Sequence, residues 1–417
     1  MKKILLGTLA VLTLAACSKD EVIQQNPNDE ISFTVTANKA VSRAQDGYCN
    51  KSLPTSFNVW ANVSDGSTGY KPYFSGDEFI KDGTNTYKNK DINRYWPSVA
   101  VNFFACVNAT PEWKSTTTPT DYSTIIVKDF TVQKDLNKQV DFIYATVKGA
   151  TKPAADAVDK TQKINFRHAL SQIEFKAKNE NSKIYVEISS VSVMNVYNKG
   201  TFTFPTESTK DNYEGSEASV DPDSKPHTGP ATPAGGVIAN QGKWDVNIGS
   251  TEDYTASFTA VAVKYNTNPS LTETDPADKE YNPNTMYLMP YGKKAIAPTP
   301  GVYIPIWDGT GKPAADKAYF QINAKIWNVA ATTDATPGDV VTTKDVVLYD
   351  GEIAVKMPDN TVWEQGKRYV YTFKFIEKGN GGTNPGTGDP VLTPITLEVT
   401  VDDFVDGTGA VIPMSKP

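Results

Sequence analysis

Ile31-Ser32-Phe33-Thr34-Val35-Thr36 sets three apolar side chains against three polar ones in strict alternation, the period of a half-buried β-strand. Phe57, Val59, Ala61 and Val63 form a second such row, Ile184 to Val196 is rich in β-branched residues, and Gly200 to Phe204 resumes the alternation after a turn at Asn198-Lys199-Gly200. The cleanest strand comes last: Ile395, Leu397, Val399 and Val401 face one way while Thr396, Glu398, Thr400 and Asp402 face the other. Helical periodicity is scarce. The chain carries 20 Tyr, 17 Phe and 7 Trp amid abundant Thr, Val, Asn and Gly, a composition suited to pleated strands and their turns. An all-β protein is expected.

Upstream of the first strand the chemistry changes. Lys2 and Lys3 precede an apolar run, Ile4 to Leu14, that closes on Leu14-Ala15-Ala16-Cys17. A basic start, a short apolar stretch and small residues at a cut form a secretory signal. The run is too short for a permanent membrane helix, which needs roughly 20 residues. Leu14-Ala15-Ala16-Cys17 resembles the lipobox of bacterial lipoproteins, which implies a signal peptide over 1–16 and a lipid anchor, such as palmitate, on Cys17. An ordinary signal peptide with a coincidental cysteine is the other reading. Ser18-Lys19-Asp20-Glu21 follows at once and is similar to the surface-export signal of Bacteroidetes-type lipoproteins, although any solvated tether would also be polar.

Loss of residues 1–16, which hold Lys2 and Lys3 and no acidic residue, takes the 41 basic and 48 acidic residues to 39 and 48, a net charge of −9. So acidic a surface argues against nucleic acid as a partner. After Cys17 only Cys49 and Cys106 remain. An exported chain can join them, or they can stay buried thiols; two cysteines make neither a disulfide framework nor a metal site of recognisable spacing.

A new series of strands starts at Phe166-Arg167-His168-Ala169-Leu170-Ser171-Gln172-Ile173-Glu174-Phe175, after the polar stretch Lys148 to Gln162, and a domain boundary is expected near residue 160. Three polar stretches, Ser216 to Gly236, Tyr265 to Asn284 and Glu377 to Thr393, are loaded with Pro, Gly, Asp, Thr and Asn and read as surface loops. Gly379-Asn380-Gly381-Gly382-Thr383-Asn384-Pro385-Gly386 lacks the Gly-Lys-Ser/Thr ending of a phosphate loop and reads as a connector.

Catalytic chemistry has little to work with. Of the two histidines, His168 lies in an apparent strand and His227 in a Pro/Gly loop, and neither has a companion at ligand or triad spacing. Asp402-Asp403 and Asp221/Asp223 pair carboxylates, but catalytic pairing needs a spatial separation that sequence does not give, and Asp402-Asp403-Phe404 reads as a strand end. No calcium-loop spacing exists. No enzyme, metal or cofactor is therefore expected. Tyr95-Trp96, Trp113, Trp244 and Trp307 are candidates for a sugar-binding platform, with burial in the core as the plainer reading.

The landmarks taken together carry a resemblance. Glu30 to Thr36 followed by Val41-Ser42-Arg43-Ala44, Tyr95-Trp96-Pro97 with Asn102-Phe103-Phe104-Ala105, Asp141-Phe142-Ile143-Tyr144-Ala145, Phe166 to Phe175, Trp363-Glu364-Gln365-Gly366-Lys367-Arg368-Tyr369-Val370-Tyr371-Thr372, and Ile395 to Phe404 occur, after the lipobox, in the order seen in fimbrillin-like proteins (type V pilins, Mfa-like or FimA-like). The resemblance implies two transthyretin-like β-sandwich domains, 44–160 and 161–417, behind a lipidated N-terminal segment, 17–43, whose first strand completes the N-terminal domain. It implies a surface lipoprotein of the outer membrane and a structural or adhesive fimbrial subunit serving adhesion and biofilm formation. Its partners would be other fimbrial subunits, with a host or bacterial surface receptor further on. By the same resemblance a trypsin-like protease cuts at Arg43-Ala44, releasing the strand of Ile31, Phe33 and Val35, and the groove left behind accepts a strand from the next subunit. The donor would come from the C-terminal end, where Val411, Ile412 and Met414 supply a short apolar set that Pro413 interrupts. That departure leaves stalk, tip and anchor roles open. The alternative is a non-polymerising surface lipoprotein that binds glycans or other ligands through a β-sandwich face.

Overall fold

The computed structural model describes residues 29–37, 53–67, 69–114, 122–209, 241–272, 285–290, 317–329, 344–357, 361, 363–377, 382–389, 395–403 and 410–412. In chain order its strands are β1 (Ser32–Ala37), β2 (Ser56–Ser64), β3 (Tyr70–Lys81), β4 (Thr86–Asn89), β5 (Val101–Val107), β6 (Glu112–Trp113), β7 (Ile125–Thr131), β8 (Ile143–Ala150), β9 (Gln162–His168) and β10 (Ser171–Asn179). They continue with β11 (Ile184–Tyr197), β12 (Lys199–Thr203), β13 (Lys243–Val246), β14 (Thr251–Val263), β15 (Met286–Leu288), β16 (Tyr319–Val329), β17 (Lys344–Val355), β18 (Lys367–Phe375), β19 (Ile395–Asp403) and β20 (Ala410–Ile412). Helix is confined to short 3₁₀ turns among the described residues, such as Leu136–Lys138. The all-β expectation holds.

The first seven strands to join one sheet close on themselves in the order β1-β4-β3-β2-β5-β8-β9. β1 makes the closure, running antiparallel to β4 on one side and parallel to β9 on the other. Alternation decides what goes inside. Val59, Ala61, Phe79, Phe103, Ala105, Ile143, Ala145, Ile164 and Phe166 fill the barrel. β5 is buried at every position for a different reason: Val101, Phe103, Ala105 and Val107 point into the barrel, while Phe104 and Cys106 point out into a second core. Covered on both faces, such a strand reads as a continuous apolar run. At Gly76 the ladder between β2 and β3 slips by one residue; this glycine has φ of +94° and lies so close to the Trp60 ring that a Cβ would sit 3.1 Å from it.

Two further sheets form the second core. One runs β15-β10-β18-β19-β20, the other β14-β11-β16-β17. Phe320 of β16 joins them, with its ring 5.2 Å from Phe175 of β10 and 4.6 Å from Tyr371 of β18. Ile173, Phe373 and Phe375 from one side, and Val186, Ile188, Ile322 and Ile326 from the other, complete the layer. Facing sheets with one shared apolar layer are the β-sandwich arrangement.

The sheet β13-β12-β7-β6 takes strands from both halves of the chain. β6 and β7 leave the ring between β5 and β8, and β7 pairs with β12. Phe202 of β12 lies 5.1 Å from Phe142 and 4.6 Å from Tyr144, so this sheet covers the outward face of β8. The boundary read near residue 160 falls before β9, which belongs to the ring and runs to His168.

Phe320 is wholly buried at the centre of the sandwich. Phe320→Ala is expected to destabilise the fold by about 3–5 kcal/mol, the cost of truncating a buried aromatic in a packed layer, measured by urea unfolding.

Candidate functional site

The seat of β1 is the feature with functional content. Ile31 and Phe33 are fully buried, Val35 is 1 % exposed, and Ser32 and Thr34 between them are half-buried. The Phe33 ring is edge-on to three others: its centroid is 4.8 Å from Phe79, 5.2 Å from Phe103 and 5.9 Å from Phe57. Edge-to-face contacts at these distances are favourable beyond the area they bury. Phe166 of β9 packs 5.2 Å from Phe57, and Tyr87 of β4, whose hydroxyl donates to the Pro54 carbonyl, packs 5.0 Å from it. Strands β2, β3 and β5 thus build an aromatic box around one side chain of β1, and β4 and β9 back it through Phe57.

The backbone is held as firmly. The Ile31 N–H donates to the Arg94 carbonyl at 2.6 Å and the Val35 N–H to the Asn85 carbonyl at 2.9 Å, so the residues that point into the core bond to the β4 side. On the other side β1 pairs in parallel with β9 from Phe33↔Gln162 to Ala37↔Phe166. Below it, the Trp96 N–H donates to the Asp29 carbonyl and Lys152 pairs with the Asp29 carboxylate.

β9 depends on this arrangement. Its register with β8 spans only Ile143↔His168 and Tyr144↔Arg167. Beyond that the two strands part, and Thr209 bridges them. Its N–H donates to the Thr146 carbonyl at 2.8 Å and its hydroxyl to the Asn165 carbonyl at 2.7 Å. The Ser208 hydroxyl accepts from the Lys148 N–H. The sequence pattern gave no sign of Thr209, because a bridging threonine in a polar stretch carries no periodicity.

The remaining candidates fall out differently. Leu14, Ala15, Ala16, Cys17, Arg43, Ala44, Cys49, Asp221, Asp223, His227, Trp307 and Met414 lie outside the described residues. Val411 and Ile412 sit in β20, an edge strand paired antiparallel with β19 through Thr400↔Val411 and Val399↔Ile412. His168 is a buried structural histidine with its Nδ1 at 3.0 Å from both Asp141 carboxylate oxygens. Asp402 and Asp403 end β19, opposite Arg368 and Lys367 in the β18 register.

Among the described residues the tryptophans do not form an exposed row. Trp96 fills the barrel against Phe103. Trp113 is edge-on to Phe104 at 5.8 Å, and Trp244 packs on Phe130, Phe142 and Phe202 while its Nε1–H donates to the Ala169 carbonyl at 2.7 Å. A cavity of about 160 Å³ between Asn108, Phe130, Val132 and Leu170 is small beside the roughly 300 Å³ at which ligand pockets begin. Among the described residues no group of three His, Cys, Asp or Glu side chains is placed to hold a metal. No helix among them is long and apolar enough to cross a membrane.

The sequence profile described as "Fimbrillin-like" matches residues 42–294, more than half of the chain. The chain belongs to the fimbrillin-like family. A prokaryotic membrane lipoprotein lipid attachment site matches residues 1–18 of this fimbrillin-like chain, the stretch that includes Leu14-Ala15-Ala16-Cys17. No curated protein matches its sequence. Among solved structures it is similar to a fimbrial protein from Bacteroides vulgatus, at 12% identity and a TM-score of 0.43, covering 90% of this chain and 99% of that one. It is also similar to the tip fimbrial protein Mfa3 from Porphyromonas gingivalis with a C-terminal truncation, at 9% identity and a TM-score of 0.34, covering 90% and 99%.

Two outcomes follow from the geometry of this fimbrillin-like fold. Phe33→Ala in the uncleaved chain should cost about 3–5 kcal/mol in urea unfolding, whereas Ser32→Ala should stay within about 0.5 kcal/mol. Cys106, wholly buried and donating to the Ala109 carbonyl at 3.4 Å, has its thiol pushed well above the ordinary range by burial. It should resist iodoacetamide at neutral pH in the folded protein and react within minutes in guanidinium, as followed by intact mass.

Proposed function

We propose that this chain is a structural or adhesive subunit of surface fimbriae, acting through strand exchange and protein contacts rather than catalysis. The observation that carries the reading is the placement of β1. It is the first strand among the described residues, it closes the barrel between β4 and β9, and its three apolar side chains are buried in the interior. A strand in that position can be lost from one end of the chain without cutting through the rest of the fold. Its loss would bare two rows of unpaired backbone groups and the aromatic box around Phe33. Both liabilities are relieved by a strand from another molecule.

The proposed sequence of events starts at the membrane. Cys17 is lipidated, Ser18 to Glu21 direct the precursor to the outer face of the outer membrane, and a trypsin-like protease cuts between Arg43 and Ala44. Residues 17–43 then leave with the strand of Ile31, Phe33 and Val35, and the chain from Ala44 onward remains as the subunit. Adhesion and biofilm formation follow from the assembled fimbrium. Retention of the uncut segment would instead leave the chain anchored by its lipid.

Limited trypsin digestion of the mature protein, with mass spectrometry of the products and electron microscopy, tests this. Cleavage after Arg43 and release of the first strand are expected, with filament growth when a subunit whose strand fits the groove is present. Persistent resistance at Arg43 while the long loops are nicked would overturn processing and favour an anchor or a ligand-binding lipoprotein. Cleavage without filaments would leave a terminal position in the fibre or a requirement for a partner subunit.

A further inference from the structure

We infer that the groove left by β1 selects a strand bearing an aromatic residue between two aliphatic ones, at i−2 and i+2, and so takes a subunit other than a second copy donating residues 410–417. The inference rests on the strand-removal reading above. Its ground is the box around Phe33. Phe57, Phe79 and Phe103 come from β2, β3 and β5, three strands whose spacing is fixed by ladders that do not involve β1. With centroids 4.8 to 5.9 Å from Phe33, they define a ring-sized space that the rest of the barrel keeps open. Interiors pack at crystal-like density, so a smaller side chain there leaves a void that neighbours fill only in part.

The C-terminal candidate fails this space in each register. With Ile412 at the Phe33 position, Ala410 replaces Ile31 and Met414 replaces Val35, while Pro413 sits at Thr34 in mid-strand without an N–H. With Val411 there, Pro413 falls on Val35, whose N–H donates to the Asn85 carbonyl. Putting Met414 there brings Lys416 to the dry Val35 position, an unpaired buried charge. Reversing the strand changes the flanks but not the central residue, which is never aromatic. Phe404 is the nearest aromatic upstream, and Asp402 and Asp406 occupy its i−2 and i+2 places. The matching pattern is the one β1 itself shows, aliphatic, polar, aromatic, polar, aliphatic.

The test replaces residues 38–43 of the full mature chain with the recognition sequence of a site-specific protease, cleaves it, and adds labelled peptides. Three are compared by native mass spectrometry and fluorescence anisotropy: residues 29–37, the same peptide carrying Phe33→Ala, and residues 408–417. The first should exchange into the groove, and the second should bind more weakly by roughly a hundredfold, the scale set by truncating a buried aromatic. The third should bind no better than the second. Entry of the 408–417 peptide with the affinity of the 29–37 peptide would sink the selectivity while leaving strand exchange standing. If the 29–37 peptide itself fails to enter, the removable strand and the inference built on it fall together.

Discussion

Closure of the barrel by its first strand is the constraint on which the N-terminal half depends. A sheet edge is a row of unpaired donors and acceptors, and a barrel removes its edges only if the last strand meets the first. Here the meeting strands are β9 and β1, at opposite ends of the half-chain, and β1 must also satisfy β4. The same six residues bring Phe33 to the centre of the aromatic box. Hydrogen-bond closure and core filling are thus assigned to one short segment, Ser32–Ala37.

The two cores are not independent. β5 and β8 each send alternate side chains inward to the barrel and outward to the second layer, with Phe104, Cys106, Phe142 and Tyr144 on the outward side. β12 crosses onto that outward face, and Gln365, near the start of β18, donates to the Gly242 carbonyl at 2.7 Å beside Tyr144, whose hydroxyl accepts from the Gly242 N–H. The Gly366 N–H donates to the Leu170 carbonyl and the Ser171 hydroxyl to the Glu364 carbonyl, fastening the segment before β18 to the turn that follows the ring. The barrel and the sandwich are therefore joined by packed aromatics and hydrogen bonds.

How much of this was legible in the sequence depends on the range of the interaction. Alternation in Ile31 to Thr36 and Ile395 to Asp402 gave both strands, and in the first it named the buried face residue by residue, because period 2 is a property of the chain itself. Partner choice is not. Nothing local in Ile125–Thr131 says that β7 leaves the ring to pair with β12, or in Gln162–His168 that β9 pairs with β1 across a parallel ladder. The boundary near 160 followed a polar stretch, yet the ring needed one more strand before it could close. The tryptophans show the complementary limit: an all-β sequence favours core over platform for each without naming its neighbours, and contacts with Phe103, Phe104 and Phe202 place Trp96, Trp113 and Trp244 inward.

The joint between β8 and β9 completes the argument about what β1 does. From Gln162 to Phe166, β9 is in ladder register with β1 and not with β8, and Thr209 reaches only to Asn165. β9 is thus held along most of its length by β1. Its side chains Ile164 and Phe166 are buried in the barrel, and its last residue, His168, is tied to Asp141 directly before the turn into β10. Whatever strand occupies the β1 position therefore supplies more than an apolar plug. It sets the register of β9, and through β9 it fixes the point at which the chain leaves the barrel for the sandwich. A replacement strand with the wrong ladder, such as one with proline in its middle, would leave β9 without its longer partner even if its side chains filled the groove. Backbone continuity and the central aromatic place separate demands on the same short segment, and β1 meets both.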